Sequence, residues 1–595
     1  MTLALASALC PPNDASAAEP GGGSKPAVTQ SSSQSSDAVH YRVVIDAPGE
    51  FTDVIRNSVD LVRWQTYADM TEDLLDRLAR DAVDQAREAV STQGYFTPAI
   101  DIDVDRKTDP ITVTLHVKPG PPLLIADVTI DVTGPASDDC GAGAAAIAEL
   151  TRNWGLPKGA IFRQSAWDSA KVRAVATLVA SPYAGAKIVS SEARIDPSTH
   201  EGTLNVTIDS GPAFRVGRLE ITGLSRYSES LVRNYNTIKP GDLYSAAALD
   251  QYLRRLNGTG YFASAQAAID TDPAKADDAT VKVALIEAPI KTFESGVGYS
   301  TDTEFRINAS YRNVDINGHA LQFYADARIE TLSQGASIRF VQPPGPDGWV
   351  DSVLTKWEHT NLNKLITQTA TAGVRRVGIE ERNQWQYGAQ FIDDSLRPSG
   401  ADKSSSHATY FDVQRIWRRV DDLIAPTRGW IVDAQAGGGV PGASTRGFGR
   451  LVARLGYWYP LSSEYQFSAR LEAGGVFGAS RQEVPSTLLF RTGGDTSVRG
   501  YGFESLGVKD GEATVPGRYY VVGSVEATRW INQTWGIATF VDTGNAFDEI
   551  STPALVLGYG VGARVRTPIG PFRFDIAYGQ QSRQVRLHFS VGLAF

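Results

Sequence analysis

The stretch "VRLHFSVGLAF", Val585 to Phe595, decides the fold. Val585, Leu587, Phe589, Val591, Leu593 and Phe595 fall on one set of alternate positions, and Arg586, His588, Ser590, Gly592 and Ala594 on the other. Successive side chains of an extended strand point to opposite faces, so this strand has one apolar face and one polar or small face. The first suits lipid and the second a wet lumen. The segment before it, "LVLGYGVGARVRTPIG", Leu555 to Gly570, repeats the pattern. There Tyr559, Val561, Ala563 and Val565 oppose Gly558, Gly560, Gly562, Arg564 and Arg566.

Working back towards the N-terminus, segments of about 9 to 14 residues, the length of a tilted membrane-crossing strand, follow one another from "FESGVGYST" at Phe293. Their count is about sixteen, an even number as a closed bacterial barrel requires. Short turns such as "TDTE" and "DING" alternate with longer connections, the longest between about Gly478 and Gly517. No apolar run approaches the roughly 20 residues of a membrane helix, so a crossing must use a closed sheet. A soluble sandwich or propeller also has many strands, but sandwich strands are usually shorter. Residues 291–595 are therefore predicted to form a 16-stranded antiparallel transmembrane β-barrel.

Before residue 290 helices interrupt the strands, and the sequence repeats itself. "VKPGPPLLIADVTIDVTG" (Val117 to Gly134) matches "IDSGPAFRVGRLEITG" (Ile208 to Gly223), each a strand end, a Gly-Pro turn and a new alternating strand. "TQGYFTPAIDIDVD" (Thr92 to Asp105) matches "GTGYFASAQAAIDTD" (Gly258 to Asp272), each after an amphipathic helix. In the middle copy "ASPYAGAKIVSSEARID" stands where the Gly-Tyr-Phe corner would be. These repeats predict three α+β modules of β-α-α-β-β order, at 41–121, 122–212 and 213–290. Residues 18–40 read as a flexible linker. Residues 1–17 end in the small-x-small form that signal peptidase reads but lack the basic front, and they are read as a truncated signal peptide.

Composition narrows the function. The net charge is −10, with both signs spread along the chain, and nothing resembles the basic face of a nucleic-acid binder. Cys10 and Cys140 provide no cysteine metal site, the seven histidines include no HExxH, and there is no GxSxG. "GAGAAA" at Gly141 reads as a turn into an alanine-rich helix rather than a dinucleotide loop. Glu526 and Asp542 could form a catalytic pair, but charged residues in a barrel lumen are more often structural or pore-lining. The chain is read as no enzyme, with no cofactor and no metal.

Within the longest connection, "GGDTSVRGYGF", Gly493 to Phe503, sets one arginine among glycines and aromatics. Its composition is that of a surface loop, but Gly493, Gly494, Gly500 and Gly502 also allow a tight backbone path. Alternation independently turns Glu526 inward between Val525 and Ala527, and leaves Phe540 and Asp542 inward among Thr539, Val541 and Thr543. At the barrel seam the first strand must meet the last. Gly296 and Gly298 on one side, and Gly592 near the terminal Phe595 on the other, weaken side-chain packing there.

The Gly-Pro turns and Gly-Tyr-Phe corners resemble POTRA domains. "SVRGYGF", "FVDTGNAF", "TPIGPFRFDIAYG" and the Phe-terminated last strand resemble the barrel of the BamA/TamA superfamily, which also holds two-partner secretion transporters. Three modules with one barrel are similar to the TamA branch, the outer-membrane subunit of the translocation and assembly module. That resemblance implies an outer-membrane protein with its modules in the periplasm. It also implies that Val498, Arg499, Gly500 and Tyr501 fold back into the lumen, where Glu526, Phe540 and Asp542 hold the arginine. The implied work is assembly or translocation of unfolded outer-membrane clients, including autotransporters, by strand addition to the modules and sideways opening of the seam into outer-membrane lipids. The implied partner is a TamB-like inner-membrane-anchored protein docking at the first module. The competing reading is a secretion pore of the two-partner type.

Overall fold

A computed structural model describes residues 39–300, 304–567 and 570–591. The repeated sequence of the N-terminal part folds into three small sheets of one design. Each has its third strand in the centre, parallel to the first strand and antiparallel to the second. In chain order the strands are Tyr41–Asp46, Ala99–Asp105 and Ile111–Lys118 in the first sheet, and Leu124–Thr133, Lys187–Asp196 and Glu201–Asp209 in the second. The third holds Val216–Thr222, Phe262–Ile269 and Ala279–Glu287. Helices cover one face of each. In Glu72–Thr92, Leu75, Ala79, Ala82, Ala86, Ala89 and Val90 recur at helical spacing and are buried, and the Thr71 side chain caps the start by accepting from the Leu74 N–H.

The middle module is complete although its corner motif is altered, with helices Ala142–Arg152 and Gln164–Ala180. "GAGAAA" opens the first of these. The Asp139 carboxylate accepts from the Gly141 and Gly143 N–H groups at 2.7 Å each, the role of a helix start.

The Gly-Tyr-Phe corners sit at the joints between units. In the first module the Gly94 carbonyl accepts from Leu123 N–H, and Phe96 packs against Phe162 of the second module. In the third, the Tyr261 hydroxyl donates to the Ala320 carbonyl at 2.5 Å, and Gln322 Nε2 donates to the Thr259 carbonyl at 2.6 Å. Val314 of the barrel's second strand lies wholly buried in the third module's core. The module is thus seated on the barrel's first strands.

From Lys291–Ser300 to Gln584–Val591 sixteen strands each pair antiparallel with their sequence neighbours. Their lengths run from 8 to 17 residues, a wider spread than the sequence suggests. Phe293, Val297, Ile307 and Leu587 point outward and are 59 to 71% exposed to whatever surrounds the barrel, as a lipid-facing wall requires. Gly296 and Gly298 lie on the inner side of the first strand. A Cβ at Gly296 would meet Asn308, and one at Gly298 would meet open space. Gly592 and Phe595 lie outside the described residues. Among those that are described, the run of ladders ends at the first strand on one side and at Gln584–Val591 on the other.

The first strand leaves the third module, so strands alternate away from and towards the modules. The connection between Tyr465–Phe477 and Tyr519–Trp530 therefore lies at the far end, as the sixth connection there. It carries its own short hairpin, Val508–Asp510 with Ala513–Val515.

Candidate functional site

The long far-end connection does not stand out in solvent. Its Val484, Leu488, Leu489, Phe490, Val498 and Tyr501 form one buried cluster with Ile392, Tyr410, Phe448, Val452, Tyr520 and Val522 of the barrel wall. The inner face, which alternation marks as suited to a wet lumen, is therefore dry at this level. Where the loop sits, inward positions are apolar because they face protein rather than water. On one side Asn363, in the turn between the fifth and sixth strands, donates to the carbonyls of Phe503 and Glu504 at 3.1 and 2.9 Å. On the other side the loop tip lies on the fourteenth strand, Val556–Val565. Eight strands apart is half the circumference of a ring of sixteen, so the loop spans the lumen. A cavity of about 540 Å³ remains beside it, lined by Arg306, Arg328, Glu330, Glu358, Arg491 and Glu504 among others.

At the tip, Arg499 forks onto Asp542, with Nε to Oδ2 at 2.7 Å and Nη2 to Oδ1 at 2.9 Å. Its backbone N–H reaches the same carboxylate at 3.0 Å. Nη1 donates to Glu526 and to Asp575, each at 3.0 Å, and Nη2 makes a longer contact of 3.4 Å to Ser524 Oγ. The five hydrogens of a guanidinium are thereby all engaged. Cζ lies 3.3 Å from the centroid of the Phe540 ring, which adds a cation–π contact. Lysine, a point charge on a flexible stem, could not make this set.

The barrel brings these partners together by register. Glu526 pairs with Phe540, Ser524 with Asp542, and Asp542 with Gly558 on three consecutive strands, so all rise to one level of the inner wall. A second arginine braces them. Arg564 donates to Glu526 at 2.7 and 2.6 Å and to Asp575 at 2.6 Å. Close approach is allowed by Gly558, where a Cβ would lie 1.9 Å from the Arg499 carbonyl oxygen.

Side chains of Arg499, Arg564, Asp542 and Asp575 are between 0 and 6% exposed, and Glu526 is 13%. The set is dry, so its worth is that of a buried network rather than a surface pair. Glu526 and Asp542 are both occupied by guanidinium groups, which leaves neither as a free acid or base. Arg564, Asp575, Ser524 and His588 belong to the site but were not singled out from sequence. Alternation places Arg564 and His588 on the inner face; their level in the barrel depends on register, which alternation does not give.

A family model described as the Omp85 superfamily domain matches residues 256–595, more than half of the chain. The chain belongs to the Omp85 superfamily, and it is an outer-membrane β-barrel protein with POTRA modules on the periplasmic side. A POTRA model described as TamA domain 1 matches 47–119, and one described as a surface antigen variable number repeat matches 214–286. Among curated proteins it is similar to the outer membrane protein assembly factor BamA of Nitratidesulfovibrio vulgaris, with 24% identity over 69% of this chain and 55% of that one. It is also similar to BamA of Neisseria meningitidis serogroup B, with 22% identity over 68% of this chain and 60% of that one. The matches thus span little more than half the length of these relatives. Among solved structures, BamA from Haemophilus ducreyi lacking POTRA domains 1–3 aligns at 17% identity and a TM-score of 0.48, covering 79% of this chain and 99% of that one.

Proposed function

We propose that this chain is an outer-membrane translocation and assembly factor of the TamA type, non-enzymatic, which inserts or translocates unfolded β-barrel or autotransporter clients. The observation that carries the reading is the seated loop. A lumen crossed by a segment tied down through a dry ion network is poorly suited to free passage, which leaves the lateral seam as the route.

Modules at 41–121, 122–212 and 213–290 would receive the client. In each sheet the second strand forms an edge, and the edge strand Lys187–Asp196 is exposed along most of its length, with Val189 at 62%. An extended client segment can join such an edge through backbone hydrogen bonds, which give affinity without demanding a sequence. The client would then pass to the seam flanked by Gly296 and Gly298 on one side and Gly592 and Phe595 on the other, where opening exposes an unpaired edge to it and to outer-membrane lipid. In this reading Val498, Arg499, Gly500, Tyr501, Glu526, Phe540 and Asp542 form the lock that keeps the lumen closed. A TamB-like protein anchored in the inner membrane is the proposed partner, docking at the first module. The match of residues 47–119 to the TamA domain 1 model supports the TamA type of that module.

Two measurements test the reading. In planar bilayers the purified protein is expected to be nearly silent and to conduct after deletion of residues 493–503; large native conductance would favour a secretion pore instead. A disulfide between the first and last strands, introduced with Cys140→Ser, is expected to abolish client assembly. Retained assembly with the seam locked overturns lateral opening.

A further inference from the structure

Arg499 is one of three consecutive loop residues that each hold a different part of the barrel's last hairpin, Phe572–Gly579 with Gln584–Val591. Beyond the arginine, the Gly500 N–H donates to Nε2 of His588 at 2.9 Å. His588 lies on the inner face of the final strand, buried, directly opposite Asp575 in register. The Gly500 main chain, at φ +90°, rests on the neighbouring strand so closely that a Cβ would lie 2.6 Å from Gly579 N. The Tyr501 hydroxyl then accepts from the Gln581 N–H at 3.1 Å, in the turn that joins the two strands, and turns its own hydrogen to the Gln581 side-chain oxygen, with the Leu557 carbonyl beside it at 3.1 Å.

We propose that His588 is a positioning residue that clips the lumenal loop to the last strand, so that release of the loop and release of that strand are one event. The proposal rests on the seam-opening reading above. Its physical basis is that the final strand is joined by a described ladder to one neighbour only, so a further anchor from inside carries more weight there than on a strand paired on both sides. The clip also has a chemical condition. A ring nitrogen that accepts from a backbone N–H belongs to a neutral imidazole carrying its proton on Nδ1, and protonation sets donor against donor. Asp575 is its register partner on the adjacent strand, Arg586 stands two positions along its own strand, and Asp495 and Arg499 are the charged groups of the loop that act on it. Histidine is the side chain whose ordinary charge change falls at mildly acidic pH, so this condition can be tested by acidification.

Hydrogen exchange on the full-length protein, corrected for intrinsic rates, tests this at pH 7.5 and at lower pH, in steps down to the acid limit of the fold. His588→Ala is expected to speed exchange roughly tenfold in both the loop tip, 499–503, and the last strand, 584–591, the effect of orphaning one buried donor. His588→Gln keeps an acceptor that does not titrate. It is expected to match the native protein at the higher pH and to keep its protection at the lower, where the native protein loses it in both segments together. Should His588→Ala fail to fold, the pH comparison with His588→Gln decides alone. Faster exchange confined to the loop, or a native protein that matches His588→Gln at every pH down to the acid limit of the fold, overturns the clip. Client assembly by a seam-locked protein would instead remove the seam reading and leave the exchange result standing.

Discussion

The two ends of the barrel's run of strands are held in different ways. The last hairpin is gripped from inside the lumen by a loop, through a desolvated set of two arginines and three carboxylates. The first strands are gripped from the periplasmic side by the third module, through Val314 in an apolar core and through hydrogen bonds at Ala320 and Thr259. Buried charge is unforgiving, since losing one partner strands the others in a low dielectric. Apolar packing and neutral hydrogen bonds fail by smaller steps. The comparison teaches that the loop side should fail abruptly when one charged partner is lost, whereas the module side should yield by smaller steps.

The largest effect is expected where the charged hold is broken. Arg499→Ala should cost about 3 to 5 kcal/mol by leaving three carboxylates facing a single Arg564, measured by denaturant unfolding of the barrel in detergent. Arg499→Lys should recover little of it, because the fork onto Asp542 is lost. Exchanging charges as Arg499→Asp with Asp542→Arg should regain part of what either change loses. A double variant no better than its singles would show that Asp542 is not the main partner.

A smaller loss sharpens the geometry without touching charge. Gly558→Ala places a methyl group 1.9 Å from the Arg499 carbonyl oxygen, so the loop tip must lift from the wall. About 1 to 3 kcal/mol is expected from such overpacking, with conductance rising in bilayers. An unchanged, silent barrel would mean that the wall yields instead of the loop.

The smallest effect belongs to the module side. Burial pushes the Glu287 carboxyl up, but the Arg226 side chain and the Arg226 and Ser225 backbone N–H groups outweigh it and hold the group at about 2. A carboxyl lowered on folding adds stability above its ordinary range and loses it as the pH falls towards the folded value. Glu287 should therefore brace the strand leading into the barrel above about pH 4.5 and let go between there and about pH 2. Glu287→Gln should cost roughly 1 kcal/mol at neutral pH, given solvent screening, and flatten that acid dependence in a thermal melt of the full chain.

How much of this was legible in sequence differs between the same two regions. Strict alternation in Leu555 to Gly570 and Val585 to Phe595 exposes the barrel because lipid leaves no choice on the outer face. The inner wall is harder to read. Ile392, Tyr410, Val452 and Val522 are apolar yet inward, since they face the loop, and no local pattern separates such a position from a lipid-facing one. Arg499, Glu526, Phe540 and Asp542 could be drawn together through family resemblance and alternation. Asp575 and His588 could not, because they are members of the site only through strand register.

The sequence by itself determined the kinds of element, the repeats and the face each strand turns to lipid, all consequences of short-range periodicity and of a solvent that differs on the two sides of a sheet. Only the tertiary structure decided that the loop crosses the lumen, that the network is dry, and that its tip reaches the last strand. Those facts depend on register summed over sixteen strands and on which inward groups water can still reach. Both are properties of closure, and no segment of the chain carries closure alone.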